Sequence, residues 1–580
     1  MIAPHLKVFP RGKRRAHRRS EVDAERAGHV QQAQCVRRHP TNAGSRLRRI
    51  KCDEAKPTCL KCSIYGRPCG GYSQDNENKA PKTSLLLPKQ TYSATIPLVY
   101  SPGASPQESG QDWRYFEHYR ETTALSVAGS YDPGSWNNVV LQAAEQEPSL
   151  KRMLRALAAL DLTPATTRGL YSWNFSGSPD DQHEHHRYAL KEYGKALRET
   201  RDRVLQGQSN LRTSLIFSHL SIAIETFHGN FEPALAQVYN MTRLLDDSGF
   251  TEKSYLESTS SSNPATGVED ELAQMFYALS FIAMTFTPDT IPVQVHLKRK
   301  KDHEETLAQM PSTFESVREA IFYMRVIARR CSHFQAASWM FDGSQTGPPN
   351  PGAYLGFMDR VSNAVVPEAF EEQQKYLRDI ERWNCAVAPL VQQSHTPAGR
   401  EYRGAVALLQ LHSVGNYISV SSALTADELF YDVLIPQFQS MVQLSREIYA
   451  LLPMAKYTLA FRAVAFLDMT AKKCRDPVLR REAIQLLAAT PRREMFWDSI
   501  VAAQIGRWVV SLEEEGMVDG FVPKTSRVRH IAMKIDMETR SIHVWCMQPR
   551  RGGEPGEWIR RETTLRADGD EPRSRELPWR

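Results

Sequence analysis

Residues 210–228 read NLRTSLIFSHLSIAIETFH, and nearly every position in this stretch is apolar or small. The exceptions inside the stretch are Arg212, His219 and Glu225. A run of this length and composition predicts a helix that is buried on most of its sides. Gly229-Asn230 follows and predicts the end of the helix, because glycine readily adopts the left-handed conformation found after helix termini.

The stretch after this turn predicts a second helix that returns along the first. Pro233 stands near its start, where proline is tolerated, and the buried face is expected to hold Leu235, Val238, Tyr239 and Thr242. Two helices joined by so short a turn form an antiparallel pair.

The helical pattern extends from Trp113 to about Gly516. Residues 186–205 and 436–452 each predict a helix with one buried stripe. The first stripe holds Leu190, Tyr193, Leu197 and Val204, and the second holds Phe438, Met441, Val442, Ser445 and Ile448. Asp476-Pro477 has the character of a helix start, and Gly516 that of a helix end.

One region departs from the helical pattern. Residues 528–536 and 541–546 alternate apolar and polar side chains, with residues 537–540 between them. This period predicts a two-stranded hairpin packed on the helical body. The expected fold is therefore mostly α, with a large helical body that ends in a short β-hairpin.

Basic residues are concentrated at the N-terminal end. Residues 1–74 contain 17 Lys and Arg against 5 Asp and Glu, a net charge of +12, whereas the whole chain carries +7. This asymmetry favours an element that docks on a polyanion. No apolar run reaches the ~18 residues of a membrane helix, and no apolar core follows the basic N-terminus, so neither a membrane span nor a secretory signal is expected.

Four cysteines follow a basic run in residues 46–69, which read RLRRIKCDEAKPTCLKCSIYGRPC. Their spacing is Cys-x6-Cys-x2-Cys-x6-Cys, through Cys52, Cys59, Cys62 and Cys69. Four thiolates suit Zn²⁺, and metal binding would supply the folding free energy that so small a core lacks. Two further candidate ligands, Cys35 and His39, lie upstream of the basic run. Four further cysteines are expected to be ordinary core residues: Cys331, Cys385, Cys474 and Cys546.

This segment resembles the fungal binuclear zinc cluster, the Zn2Cys6 DNA-binding domain. The resemblance implies a zinc-binding module over residues 42–72, with two zinc ions in the family. The family has two further cysteines, and Asn42 and Ser45 stand at their positions. One zinc ion or none is therefore also possible for this sequence. Two explanations stand open: the stretch upstream of Arg46 comes from a wrongly predicted exon, or the protein has lost its cluster.

The resemblance also implies which residues contact DNA, since in the family a short helix beside the cysteines enters the major groove. By position, Arg48 and Arg49 would contact base edges, and Arg46, Lys51 and Lys61 would contact phosphates. Arginine suits base reading because its fork pairs with O6 and N7 of guanine, whereas any cation neutralises phosphate. Taken alone, the basic run would indicate only a nuclear import signal.

The rest of the chain resembles the fungal-specific transcription factor regulatory domain. The resemblance rests on Tyr115-Phe-Glu-His-Tyr, the stretch Trp136–Ala144, the helix pair around Gly229, Cys474-Arg-Asp-Pro and Pro491-Arg-Arg-Glu with Trp497-Asp-Ser. It implies an all-helical regulatory body over residues 113–549. We expect a disordered basic tail over 1–41, the zinc module over 42–72, a Pro- and Ser-rich linker over 73–112, the body, and a disordered tail over 550–580.

These features predict a sequence-specific DNA-binding regulator of transcription by RNA polymerase II, located in the nucleus. Its expected partners are double-stranded DNA and either the transcription machinery or a second copy of the chain, and not a membrane. The alternative is a helical regulatory protein that has lost zinc-dependent DNA binding and acts through protein contacts. An enzyme is not expected, because none of the common catalytic motifs is present. His183, His185 and His186 lack zinc-protease spacing and predict the polar start of a helix.

Overall fold

The structure, a computed structural model, describes residues 109–127, 133–163, 180–248, 293–340, 367–425, 427–452, 455–489, 491–536, 541–550, 557–566 and 575–578. It also describes positions 272, 275, 276, 279, 283, 291, 354, 355 and 552. All of these residues belong to one compact unit of the chain. The basic tail predicted over 1–41 and the zinc module predicted over 42–72 lie outside the described residues.

The N-terminal part of the described body consists of helices. They are α1 (Gly110–His118), α2 (Ala124–Val127), α3 (Pro133–Gln146), α4 (Pro148–Leu162), α5 (Asp180–Leu205), α6 (Leu211–His228) and α7 (Phe231–Asp247). Ser109 starts α1 with a capping box: its hydroxyl accepts from the Asp112 amide, and the Asp112 carboxylate accepts from the Ser109 amide. Pro148 opens α4, where a missing amide proton costs nothing.

The predicted antiparallel pair is formed by α6 and α7. The side chain of Asn210 accepts a hydrogen bond from the Thr213 amide at 2.8 Å and so caps the start of α6. Gly229 ends α6 with a φ of 80°, in the left-handed region that favours glycine. In α7, Leu235 and Val238 are buried as expected. The predicted helix pair is thus confirmed.

The stripe predicted for α5 is wrong in two of its members. Tyr193 is buried, but the side chains of Leu190 and Leu197 are 47% and 40% exposed. The face of α5 that packs on the body holds Ala189 and Ala196 instead. The reason is the close approach of α4, which small side chains permit and leucines would prevent.

A second group of helices follows: α8 (Val293–Arg299), α9 (Glu304–Ala308), α10 (Val317–Met340), α11 (Pro367–Ser394) and α12 (Arg403–Ser421). A short strand, β1 (Tyr354–Leu355), stands between α10 and α11. These helices enclose their own apolar cluster, in which Phe334, Trp383 and Leu409 are almost fully buried. Helix α12 joins this cluster to the larger one, because its Leu408 and Leu411 belong to the larger cluster, which also holds the buried residues of the N-terminal helices.

The remaining helices are α13 (Ile435–Leu451), α14 (Val464–Lys473), α15 (Pro477–Ala489) and α16 (Ser499–Glu514). All five side chains predicted for the buried face of α13 are buried. Asp476 caps α15 as predicted, since its Oδ1 accepts from the amides of Val478 and Leu479 at 3.0 and 2.9 Å. Three short strands accompany these helices: β2 (Tyr457–Thr458), β3 (Arg493–Glu494) and β4 (Trp497–Asp498).

The predicted hairpin is confirmed and belongs to a larger sheet. Its strands are β5 (Arg529–Asp536) and β6 (Ser541–Pro549), which pair antiparallel. Two more strands follow, β7 (Trp558–Arg566) and β8 (Arg575–Pro578), and the strand order is β1-β5-β6-β7-β8. One face of this sheet packs on α16, where Trp508 and Leu512 meet Val544 and Cys546. Alternation along β6 therefore places every second side chain in this core.

The frayed tail expected over 550–580 differs from the structure, which has β7 and β8 in that range. Arg561 of β7 is buried, and its guanidinium binds the Glu515 carboxylate at 2.8 Å. Pairing with a carboxylate lets a charged strand join the sheet, which composition alone does not reveal. Among the body cysteines, Cys331, Cys474 and Cys546 are buried as expected, but Cys385 is exposed.

Candidate functional site

The predicted metal ligands and DNA contacts all lie outside the described residues. The ligands are Cys52, Cys59, Cys62 and Cys69, and the DNA contacts are Arg46, Arg48, Arg49, Lys51 and Lys61. The donor set itself suits zinc, because four thiolates complete a tetrahedral site.

A buried ion cluster surrounds the stretch Cys474-Arg-Asp-Pro. Glu513 of α16 is fully buried and accepts from Arg475 at 2.8 Å and from Arg480 at 2.7 Å. Arg475 also reaches the Glu428 carboxylate at 2.9 Å, and Lys473 binds the other oxygen of Glu428 at 3.0 Å. Three cations thus share two carboxylates at the point where α14, α15 and α16 meet.

Glu513 is ionised in this cluster. Burial alone would raise the pKa of its carboxyl, but the charges of Arg475 and Arg480 and a hydrogen bond from the Val528 amide outweigh burial and lower the pKa to about 2. The amide of Val528 donates to Glu513 Oε1 at 3.0 Å and leads into β5. The cluster therefore fixes the sheet to the helices, and all of its charges are used internally.

A second polar cluster lies in the stretch Pro491-Arg-Arg-Glu. Arg493 is buried and donates to the carbonyls of Thr226 and Phe227 at 3.1 and 2.8 Å, which belong to the last turn of α6. Glu494 accepts from the amide of Val464 at 2.9 Å, at the first residue of α14. Both contacts stabilise the helix ends, because a helix carries a partial negative charge at its C-terminus and a partial positive charge at its N-terminus.

The same stretch caps a third helix. Asp498 Oδ1 accepts from the amides of Ile500 and Val501 at 3.0 and 3.1 Å and starts α16. Asp498 Oδ2 also lies 3.3 Å from the Arg493 guanidinium. One short hairpin, β3 and β4, thus holds the ends of α6, α14 and α16 in register.

A small pocket lies beside this hairpin. The Arg492 guanidinium stacks over the Tyr449 ring at 3.7 Å, and Thr458, Arg462 and Glu494 also line the pocket. Burial raises the pKa of the Glu494 carboxyl and lowers the pKa of the Arg462 guanidinium.

The predicted polar helix start is confirmed, since α5 begins at Asp180, just before the histidines. His185 Nδ1 lies 2.6 Å from the Tyr115 hydroxyl, and His186 Nε2 lies 3.2 Å from His228 Nε2. Within the part of the chain that the structure describes, no three or more His, Cys, Asp or Glu side chains gather as a metal site. None of the helices described there has the length and apolar character needed to cross a bilayer.

In the sequence, both polar stretches are points of family resemblance only, and no functional role is predicted for them. The local sequence places Arg492, Arg493 and Glu494 directly before the apolar pair Met495-Phe496. Charged residues beside apolar ones are usually exposed, so only the packed structure reveals that these three are buried.

Comparison with known proteins finds a family similar to the N-terminal segment. Residues 46–79 match the family model of the fungal Zn(2)-Cys(6) binuclear cluster domain. The match begins at Arg46 and so excludes positions 42 and 45, where this chain has Asn and Ser. It includes all four predicted ligands and all five predicted DNA contacts. No solved structure matches the chain.

Three curated relatives carry related names. The chain is 26% identical over 215 residues to the aspercryptin biosynthesis cluster-specific transcription regulator atnN of Emericella nidulans, covering 34% of this chain and 33% of the relative. It is 27% identical to the transcription regulator lscL of Purpureocillium lilacinum, covering 32% of this chain and 44% of the relative. It is also 27% identical to the Zn(2)-C6 fungal-type transcription factor afumD of Aspergillus fumigatus, covering 26% of this chain and 35% of the relative. The chain thus spans less than half the length of each of these relatives.

The regulatory domain suggested for residues 113–549 remains a resemblance. The N-terminal segment rests on two agreeing observations, the cysteine spacing and the family match. By both, residues 46–79 are similar to the fungal Zn(2)-Cys(6) binuclear cluster domain, the type of cluster that the name of one relative, afumD, also gives.

Proposed function

We propose that this chain is a sequence-specific DNA-binding regulator of transcription by RNA polymerase II. The observation that carries the proposal is the family match over residues 46–79, which contains the four-cysteine spacing and the basic run before it. The names of the three relatives, all transcription regulators or factors, support it. The nucleus is the compartment in which such a protein acts.

In this proposal, zinc folds the N-terminal module. Cys52, Cys59, Cys62 and Cys69 supply four thiolates, enough for one tetrahedral ion. The family's second ion would need ligands that Asn42 and Ser45 do not offer. So short a segment has too little apolar surface to fold alone, so the metal supplies its folding free energy.

The proposed division of labour among the basic residues follows from their chemistry. Arg48 and Arg49 contact base edges, because the guanidinium fork pairs with guanine. Arg46, Lys51 and Lys61 contact phosphates and set the orientation of the module. The helical body carries regulation, through the transcription machinery or a second copy of the chain.

The test measures zinc content and sequence preference on the same full-length protein. We expect at least one zinc ion per chain, and a preferred duplex bound at least about 10³-fold more tightly than random duplex. A chelator should remove both. Cys62→Ser should abolish the preference, and the matched control Cys385→Ser, at the exposed body cysteine, should leave it intact.

A metal-free protein without a preferred duplex would overturn the proposal. That result would favour the alternative, a helical regulatory protein that acts through protein contacts alone. Binding that merely weakens with salt would not be enough, because phosphate contacts alone produce it. Sequencing the 5′ end of the transcript would show directly whether a Cys-x2-Cys precedes Arg46.

A further inference from the structure

The outer face of α5 carries three exposed leucines. Leu190, Leu197 and Leu205 are 47%, 40% and 75% exposed. Spacings of seven and eight residues place them on one side of the helix. They span about 22 Å along the axis, at 1.5 Å per residue. Single exposed leucines are ordinary on protein surfaces, but an aligned row is typical of an interface.

Cations line this row. Arg187, Lys191 and Arg198 project from the same side of α5 and are exposed. Within the described part of the chain these three side chains make no ion pair. Arg201 lies among them and binds its neighbour Asp202 at 2.8 Å. The α5 face, defined as these four cations, Asp202 and the three leucines, thus has a net charge of +3.

The opposite side of α5 is held rigidly. Tyr193 donates to Glu225 of α6 at 2.6 Å, and Arg152 of α4 binds Glu192 at 2.8 Å and Glu199 at 2.9 Å. Ala189 and Ala196 are fully buried against the body. A rigid helix presents its outer side chains in one geometry, so a partner would meet a preformed surface.

We propose that the α5 face is a docking site for an acidic amphipathic helix of another protein. Such a partner would place leucine-like side chains between Leu190 and Leu197 and its carboxylates beside Arg187, Lys191 and Arg198. A second copy of this face fits poorly, because its three unpaired cations would repel their counterparts. A nucleic acid would meet the cations but leave the leucines without apolar contact. The inference does not depend on DNA binding by the N-terminal module.

The test uses the full-length chain and two labelled synthetic peptides of about 18 residues, five helical turns each. The patterned peptide carries leucines on one face and glutamates on the other. The scrambled peptide has the same composition without that face. Fluorescence anisotropy should show binding of the patterned peptide at least about tenfold tighter than of the scrambled one.

The double variant L190S/L197S should weaken binding of the patterned peptide at least about tenfold, since two buried leucine contacts are lost. Both side chains are partly exposed, so its melting temperature should fall only slightly below that of the wild type. The matched control Val478→Ser removes a side chain that is 70% exposed on α15 and should leave binding unchanged.

Three results would overturn the proposal. One is equal binding of both peptides, which would reveal charge attraction only. Another is unaltered binding by L190S/L197S. The third is leucine-dependent binding to vesicles of phosphatidylserine and phosphatidylcholine without binding of the patterned peptide, which would assign the face to a membrane surface.

Discussion

Two arginine-rich stretches of this chain use the same side chain in opposite ways. Arg48 and Arg49 stand in a run of residues 46–51 that holds no carboxylate. In the body, Arg475, Arg480 and Arg493 are buried, and each meets a carboxylate or a row of carbonyls. A guanidinium whose donors are satisfied internally has none to offer a ligand. An arginine surrounded by acceptors of its own chain therefore supports the fold, whereas an arginine without such acceptors can bind a ligand. The number of arginines in a stretch does not distinguish the two cases.

The largest expected effect on stability concerns the buried ion cluster around Glu513. Glu513→Gln leaves Arg475 and Arg480 buried with one carboxylate fewer, and it should lower the free energy of unfolding by about 3–5 kcal/mol. Urea unfolding measures this change. The matched control is Glu514→Gln, the neighbouring residue, whose partner Arg481 is half exposed, and it should cost less than about 1 kcal/mol. Equal losses in the two variants would show that the cluster is not a structural tie.

The pH dependence of the same residue sharpens this point. The pKa of Glu513 is about 2 in the folded protein, against an ordinary 4.5. Because the folded pKa is depressed, the stabilisation is complete above pH 4.5 and is lost as pH falls towards 2. The difference in unfolding free energy between wild type and Glu513→Gln should shrink by about 3 kcal/mol over that range. A constant difference would mean that Glu513 is not ionised.

A smaller loss of stability is expected at the hairpin of β3 and β4. Arg493→Met removes the donors to the carbonyls of Thr226 and Phe227 while it keeps most of the side-chain volume. The free energy of unfolding should fall by about 2–3 kcal/mol, as for a charged hydrogen-bond group. Arg507→Met, at an exposed position of α16, should change it by no more than about 0.5 kcal/mol. If both variants unfold alike, Arg493 does not hold α6.

The smallest effect should fall on DNA binding and spare stability. Arg49→Ala should cost about 1–3 kcal/mol of binding free energy for the preferred duplex and relax the preference at one position. Lys61→Ala should weaken all duplexes alike and lower the salt slope by about one. Neither should alter the urea unfolding of the body. An unchanged preference after Arg49→Ala, in competition with random duplex, would remove Arg49 from base reading.

Local patterns predicted the elements whose signals are local. The helix pair around Gly229 follows from an apolar run and a left-handed turn, and β5 and β6 follow from strict alternation. The prediction of the buried stripe of α5 is wrong because Leu190 and Leu197 have helical spacing but lie on the solvent side of the helix. Only the packing of α4 on α5 shows which side is buried. The strand β7 was missed because its charges are compensated by Glu515, far away in sequence.

The amino-acid sequence by itself determined the helical class, the cysteine spacing of the N-terminal segment and the turns that separate the helices, since each depends on residues close together in the chain. Only the tertiary structure decided which arginines are buried and which leucines face solvent. The physical reason is that the partners of Arg475, Arg493 and Leu197 come from distant parts of the chain. Their burial and pairing therefore exist only once the helices have packed.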